Sequence, residues 1–557
     1  MKFIKNILPL LIVVGLSYWA IKPLFIHGFF PIHDDTQVAR VFEMGQSLGD
    51  GMFPVRWVSD LGYSYGYPIF NFYGPLAYYL GGFFILLGLN ALFATKAMMI
   101  LGILLAGVGM YFLSRQFWGE VGAILSALLY MYAPYHAVEV YVRGDVSEFF
   151  AYALIPFVFY ALWQIFKKRT WKYVALGSLS YAGIVLSHNL SAMMITPFIL
   201  AFSLFLYFSS HTTGKRYFVF LPIFVGVLLS AFYWLPVFPE MKYTNVLSVV
   251  GGGSDYRDHF VCPMQLWNSP WGFGGSSAGC LRDGLSFKLG KLHIMLFLLS
   301  LVSLFFFRKS MKEKFAVTLF FIVSFAFSIF LTFDASKFIW QVIPQMAFLQ
   351  FPWRFIVLAV FFMSFVSGAV LWAFQTKKLP KFLYLGIGVV LISLTIFINV
   401  ETFNPLTIIN KSSDDYTNQD SLTWFTSKIS DEYMPVGFSK PKNKNEVPGG
   451  RISLQDSSAK ILSLQSKTQK IAAVVEAQRG TMAVLNIAYF PAWHVYVDQK
   501  EVNYKKSNKG LILEIPAGRH TLVAAFVQTP IEKAADFLTI VGVIVLGIIY
   551  FYERKKA

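Results

Sequence analysis

Residues 291–332 read KLHIMLFLLSLVSLFFFRKSMKEKFAVTLFFIVSFAFSIFLT. Two apolar runs, 291–307 and 315–332, flank a short basic bridge carrying Arg308, Lys309, Lys312 and Lys314. Either run is long enough to cross a hydrocarbon core of about 30 Å as a helix. The bridge has the charge of a cytoplasmic loop, because Lys and Arg accumulate on the inner side of short membrane loops. Moving outward, the same unit recurs. Further apolar runs lie at 7–26, 93–113, 118–136, 148–166, 173–187, 190–208, 217–236, 353–374, 381–398 and 535–552. Of the 557 residues, 56% are hydrophobic and 14% charged. A soluble domain is nearer half apolar and a quarter charged. The expectation is a polytopic α-helical membrane protein of about twelve spans in the plasma membrane.

The net charge of +17 would suggest nucleic acid in a soluble chain. Here the cations gather between apolar runs, at Lys2/Lys5, Arg115, Lys167-Lys168-Arg169 with Lys172, Lys215-Arg216, Arg308 to Lys314, Lys377-Lys378 with Lys381, and Arg554-Lys555-Lys556. With these spans every cluster falls on one face, so no nucleic-acid partner is expected and both termini are expected to be cytoplasmic. The run 7–26 reads as an uncleaved first helix, since Ala20-Ile21-Lys22 is a poor cleavage site. Pro75 to Leu92 is also apolar, but a full crossing there would put every later basic cluster outside, so it reads as interfacial or re-entrant. The outer side then holds the loops 27–92, 137–147 and 239–290, the turn at His188, and the segment 400–533.

That segment is polar and contains strand-like runs at 472–477, 482–487, 494–498, 511–515 and 521–527, with a turn at Pro516-Ala517-Gly518. Close spacing of short strands predicts a β-sandwich. The expected division is a transmembrane module 1–399, an extracytoplasmic mainly β domain 400–533, and a last helix with a basic tail, 534–557.

Polar groups at the outer ends of spans are the candidates for chemistry. His33-Asp34-Asp35-Thr36 follows the first span. An acid there suits a general base or a cation ligand, while Asp35 is also placed to cap a helix from Gln37 to Leu48. In Arg143-Gly144-Asp145-Val146-Ser147-Glu148 the two acids have capping-box spacing, yet an acid at the lip of a span is costly and tends to be functional. His188 breaks two apolar runs on the same side. Asp34, Glu148 and His188, two carboxylates and an imidazole on one side, suit a divalent cation such as Mg or Mn. Arg56, Arg143 and Arg354 lie near outer span ends, where they could clamp phosphate, snorkel, or pair with an acid. Cys262 and Cys280 are the only cysteines; a bond between them would be worth about 3 kcal/mol. No CxxC pair, GxGxxG, Walker loop or HExxH is present, which argues against redox, nucleotide-driven and zincin chemistry.

The runs Phe53-Pro54-Val55-Arg56-Trp57, Leu61-Gly62-Tyr63-Ser64-Tyr65-Gly66-Tyr67-Pro68-Ile69-Phe70-Asn71-Phe72-Tyr73, Ala133-Pro134-Tyr135, Tyr141-Val142-Arg143-Gly144, Ser187-His188-Asn189 and Phe351-Pro352-Trp353-Arg354-Phe355 resemble a family of prokaryotic membrane proteins. That family is labelled 6-pyruvoyl-tetrahydropterin synthase-related, a label and not an activity. Tyr489-Phe490-Pro491-Ala492-Trp493 and Ile515-Pro516-Ala517-Gly518-Arg519-His520 resemble the outer domain of YfhO-type proteins. These proteins are similar to GT-C glycosyltransferases. The resemblance implies an acid after the first span as the catalytic or metal-binding carboxylate, here Asp34 or its neighbour Asp35. It implies a second acid in the next outer loop, Glu148 with Asp145 beside it. His33 and His188 would support them. The implied donor is a polyprenyl-phosphate-linked sugar; the acceptor is a glycan, lipid or protein. A non-catalytic exporter or flippase of lipid-linked glycans is the rival, and an envelope protein using its β domain for adhesion a third reading.

Overall fold

The computed structural model describes residues 2–168, 170–209, 216–249, 254–311, 313–377 and 379–554. Arg169, Lys215, Gly251-Gly252-Gly253, Lys312, Lys378, Lys555 and Lys556 lie outside the described residues. Among the described residues, nine helices are long and apolar enough to cross a membrane, or ten when the pair Arg216–Leu229 and Ala231–Tyr243, bent by 61°, is taken as one span. All twelve apolar runs read from the sequence lie on helices. The chain is a polytopic helical membrane protein.

Two runs, 93–113 and 118–136, lie on two helical arms within Ala91–Met131 that meet at Gly119, with φ 70° and ψ −170°. It is a hairpin. Gly107 and Met131, equally far on either side of Gly119, approach so closely that a Cβ on Gly107 would lie 2.5 Å from the methionine methyl. The Tyr111 hydroxyl donates to Glu120 at 2.6 Å across the bend. The second arm stops before Ala133-Pro134, since proline disfavours helical backbone in the residue before it. The segment after Pro75 forms the helix Leu76–Leu86. Its 11 residues reach only about 16 Å, too short to cross.

Beyond Asn399 the chain leaves the bundle and builds nine strands: β1 Ile452–Leu454, β2 Lys460–Lys467, β3 Lys470–Ala477, β4 Thr481–Leu485, β5 Trp493–Val497, β6 Lys500–Glu501, β7 Lys505–Ser507, β8 Gly510–Ile515 and β9 Gly518–Phe526. They form antiparallel sheets of order β1-β4-β8-β7 and β2-β3-β9-β5-β6. Ala473 opposes Leu522 and Val495 opposes Ala524. Ile471, Ala473 and Val475 alternate inward along β3, as Leu511, Leu513 and Ile515 do along β8. Both inner faces feed one core, so the unit is a β-sandwich. Four strands, β1, β2, β6 and β7, were not expected. β2 is almost wholly exposed at a sheet edge and shows no inward alternation.

The sandwich is fastened to the membrane bundle at both ends. Trp57 of the first loop packs against Phe490, Trp493 and Phe526. The stretch before the sandwich joins the loop after the bent pair: Asn245 N–H donates to Met434 O at 3.0 Å, and Val436 N–H to Tyr243 O at 3.1 Å.

Candidate functional site

The helix Gln37–Gly49 starts one residue later than a cap at Asp35 would require. Its N-cap is Thr36, and Asp35 does not cap it. Thr36 N–H already donates to Asp34 O at 2.6 Å, so the chain turns over residues 34–36. Asp35 instead lies 3.8 Å from Lys411 and is half-buried. The strand of chain before the turn is stitched to the second loop: His33 N–H donates to Val142 O at 3.0 Å and Asp34 N–H to Arg143 O at 3.1 Å. Asp34 is thereby set beside Arg143.

The second loop is built for that contact. Glu139–Arg143 is π-helical, a geometry concentrated at functional sites. It ends at Gly144 with φ 64°, where a Cβ would lie 2.5 Å from Ile32. Only glycine meets both conditions. Gly144→Ala is expected to cost about 1–2 kcal/mol from the left-handed backbone alone, plus the clash, and to lower the melting temperature of the purified chain. An unchanged melting temperature would show that the loop is not held in this form.

After Gly144, Asp145 Oδ1 accepts from Glu148 N–H at 3.0 Å, starting the helix Val146–Lys168. Arg143 is the hub of an ion cluster. It pairs with Glu139, with Glu148 at 2.7 Å and with Asp145 at 2.9 Å, and its guanidinium stacks 4.8 Å from the centre of the Trp353 ring. Arg354 donates to the same Glu148 oxygen at 3.0 Å and to His188 Nε2 at 3.3 Å. On the other ring nitrogen, Nδ1 accepts from Ser191 N–H at 3.3 Å and meets the Ser191 hydroxyl at 2.8 Å. Burial lowers the proton affinity of His188 against the pull of Asp145 and Glu148. Burial raises the Asp145 carboxyl, but Arg143, His188 and Arg354 outweigh it and hold the group well below its ordinary range.

These groups open onto a cavity of about 600 Å³ whose wall includes Asp34, Arg143, Asp145, His188, Trp353 and Arg354. Burial and the Asp145 charge push the Asp34 carboxyl up, while Arg40, Arg143 and Arg354 pull it down. Asp34 is half-buried and lines the cavity, a setting that suits a general base. His33 lies at the exposed rim, where Nε2 meets Phe273 O at 2.8 Å.

Asp145, Glu148 and His188 offer ligand atoms within 4.8 Å of one another. Both arginines bind one Glu148 oxygen, and the other, Oε1, is buried without a partner. An orphaned carboxylate oxygen close to a second carboxylate and an imidazole fits a divalent cation, which would take the place of Arg354 on the His188 ring. Asp34 stands outside this group of three.

Arg56 is not at the cavity. It is 2% exposed and is bound instead to Asp536 at 2.6 Å and Phe232 O at 3.1 Å, with Glu532 at 3.8 Å. Two carboxylates on the last helix claim it, which removes it from the donor-binding set. Two residues unread in the sequence belong nearer the site. Glu139 is the third acid on Arg143, and its spacing of four from Arg143 is the signal that could have found it. Arg40 is buried with its guanidinium 4.4 Å over the Tyr73 ring and donates to Ser430 at 2.9 Å. Tyr433, from the chain before the sandwich, also lines the cavity.

The loop over the cavity is held by the disulfide Cys262–Cys280. Within that loop Ser276 accepts from Trp353 Nε1 at 3.1 Å and meets His259 at 2.8 Å. Replacing both cysteines by serine is expected to cost about 3 kcal/mol, read as a lower melting temperature and faster protease cleavage in 262–280. Equal protease resistance would refute a role for the bond in holding the loop.

Residues 70–249 match the model of a family described as 6-pyruvoyl-tetrahydropterin synthase related domain; membrane protein. A protein of Lactococcus lactis subsp. cremoris (strain MG1363), described as uncharacterized, is 23% identical over 242 residues, 42% of this chain and 39% of that protein. Among solved structures, the oligosaccharyltransferase AglB from Archaeoglobus fulgidus, in complex with an inhibitory peptide and a dolichol-phosphate, is similar with a TM-score of 0.48 and 14% identity. The similarity covers 79% of this chain and 62% of that one. Arabinofuranosyltransferase AftD from Mycobacteria gives a TM-score of 0.42 at 14% identity, covering 70% of this chain and 27% of that one. This chain thus spans less than two thirds of the length of each of these relatives.

Proposed function

We propose that this membrane protein, which carries the 6-pyruvoyl-tetrahydropterin synthase-related domain over residues 70–249, is a glycosyltransferase. It moves a sugar from a polyprenyl-phosphate donor to a hydroxyl acceptor at the extracytoplasmic face. The observation that carries this reading is the cavity that collects Asp34, Asp145, Arg143, His188 and Arg354 from four separate stretches of chain. A half-buried base, an acid–imidazole group and two arginines in one enclosed space suit electrostatic stabilisation of a leaving phosphate.

In this mechanism Asp34 accepts the proton of the acceptor hydroxyl. The acceptor oxygen forms its bond to the anomeric carbon as the bond from that carbon to the phosphate oxygen breaks, and the phosphate leaves with the electron pair. Arg143 and Arg354 hold Glu148 and Asp145 in place and present positive charge to the phosphate. Asp145, Glu148 and His188 would hold Mg or Mn, which supplies Lewis-acid charge to the departing phosphate. The basic loops at the opposite end of the bundle, where Lys167 pairs with Glu313, support a cytoplasmic placement of that end and an outer placement of the cavity. Membrane lipid would hold the polyprenyl tail.

The test uses the full chain in proteoliposomes with a pool of radiolabelled polyprenyl-phosphate sugars and membrane acceptors. Transfer by the wild type is expected to stop with EDTA and to return with Mg or Mn. Glu148→Gln is expected to lower it by about 10²-fold or more. Absence of transfer from every donor, with lipid-linked glycan crossing the vesicle membrane, would overturn the enzyme and favour a flippase.

A further inference from the structure

The helix Gln37–Gly49 has a cavity at each end. Its first turn carries Arg40 beside the catalytic one. Its last turn carries Gln46, which with Asp50 lines a separate hollow of about 390 Å³ between the turn 59–64 and the β-sandwich side of the molecule. The helix has 13 residues and is about 20 Å long, so the two cavities are separated by the reach of several linked sugar rings.

The walls of the second hollow are fixed from both sides. Arg451 crosses from the chain entering β1, donates to Ser59 O at 2.8 Å and Ser64 O at 2.7 Å, and pairs with Asp60 at 2.5 Å. Asp50 Oδ2 accepts from Thr468 N–H at 2.6 Å and from its hydroxyl at 2.8 Å. Beneath the turn, Glu43 is fully buried and accepts from Ser59 N–H at 3.1 Å and Asp60 N–H at 3.3 Å.

The chemistry facing this space differs from that of the first cavity. Every lining residue is polar or glycine; no aliphatic or aromatic side chain lines it. Asp50 and Asp60 are matched in formal charge by Arg451 and Lys467. Asp50 Oδ1 has no protein partner among the described residues, and the exposed Gln419 amide offers both a donor and an acceptor at the rim. A lipid tail would leave these groups unpaired, and a phosphate would face two carboxylates. An uncharged ligand with alternating donors and acceptors satisfies them.

We propose that this hollow binds a neutral, hydroxyl-rich saccharide and serves as a holding subsite for an acceptor glycan whose reacting end lies in the catalytic cavity. The proposal rests on the transferase reading for the second clause only. A holding subsite one helix length from the reaction selects acceptors by length.

The full chain in detergent is titrated with neutral mono- to hexasaccharides of several sugars and linkages, and binding is read by saturation-transfer NMR. Two variants perturb the hollow. At Gly450 an added Cβ meets no atom within 4 Å, so Gly450→Leu fills the space without disturbing the backbone. Gln419→Ala removes the amide of an exposed residue. Hexasaccharide binding is expected to weaken about tenfold in both variants and to persist in Asp34→Asn. Transfer to a monosaccharide acceptor is expected to be unchanged in both, while KM for the long acceptor rises by the same factor. No binding across the panel, or binding that Gly450→Leu leaves intact, overturns the subsite and leaves a hydrated crevice. Binding weakened by Gly450→Leu in a protein that transfers no sugar supports the saccharide site and overturns only the reading of the reaction.

Discussion

Asp34→Asn is expected to lower sugar transfer by about 10²–10⁴-fold, the range for loss of a general base, with the protein still folded and able to bind saccharide. The fold should survive because the residue holds its place through the backbone. Its N–H donates to Arg143 O and its carbonyl accepts from Thr36 N–H. The carboxyl itself makes no hydrogen bond among the described residues, and asparagine has its shape. Asp35→Asn is the internal control, since Asp35 only approaches Lys411 at 3.8 Å. Its transfer rate should stay near wild type. A matched loss in both variants would assign the effect to the turn and not to the base. Wild-type transfer in Asp34→Asn would discard Asp34 as the base while leaving the enzyme in place.

Arg143→Met is expected to be the most destabilising single change in the site. Arg143 pairs with Glu139, Asp145 and Glu148, and the two glutamates are fully buried. Removing the shared cation leaves these acids facing one another with Arg354 on Glu148 alone. Breaking a buried ion pair from one side costs about 3–5 kcal/mol, because the remaining charge stays desolvated. The readout is the melting temperature of the detergent-purified chain. Adding Glu139→Gln to Arg143→Met should recover part of the loss, since it removes one uncompensated acid. Equal stability of Arg143→Met and wild type would show that the cluster is solvated or uncharged.

The spans were legible because a helix in lipid keeps its run apolar over its whole length, and the backbone there is satisfied only within helices or closed barrels. Pro75 to Leu92 was readable as a non-crossing segment from loop charge instead, since a full crossing would put every later basic cluster outside. Asp145 and Glu148 were readable as a pair because they are local: the contact is a capping bond three residues apart. What failed to show in the sequence is non-local or lacks a periodic signal. Arg56 and Asp536 are 480 residues apart, and nothing near Arg56 indicates which acid will claim it. Arg40 sits between Ala39 and Val41 in a short amphipathic helix, where an arginine reads as a solvated face until Tyr73 and Ser430 are seen around it. β2 was missed because an edge strand with both faces exposed has no apolar alternation to read. Asp35 was misplaced as a cap by a single residue, within the usual uncertainty of helix ends.

The tie between Arg56 and the last helix sets an order on synthesis. The loop that carries Arg56 is made 480 residues ahead of Asp536. Its arginine then waits, because both carboxylates it pairs with, Glu532 and Asp536, come from the helix Pro530–Arg554. Until that helix is made, the arginine lacks both ion-pair partners, and Asn71, two residues before the cavity-lining Tyr73, keeps Glu240 but lacks its bond to Glu532. A chain lacking that helix loses more than a span: the acids that hold Arg56 and Asn71 in place go with it.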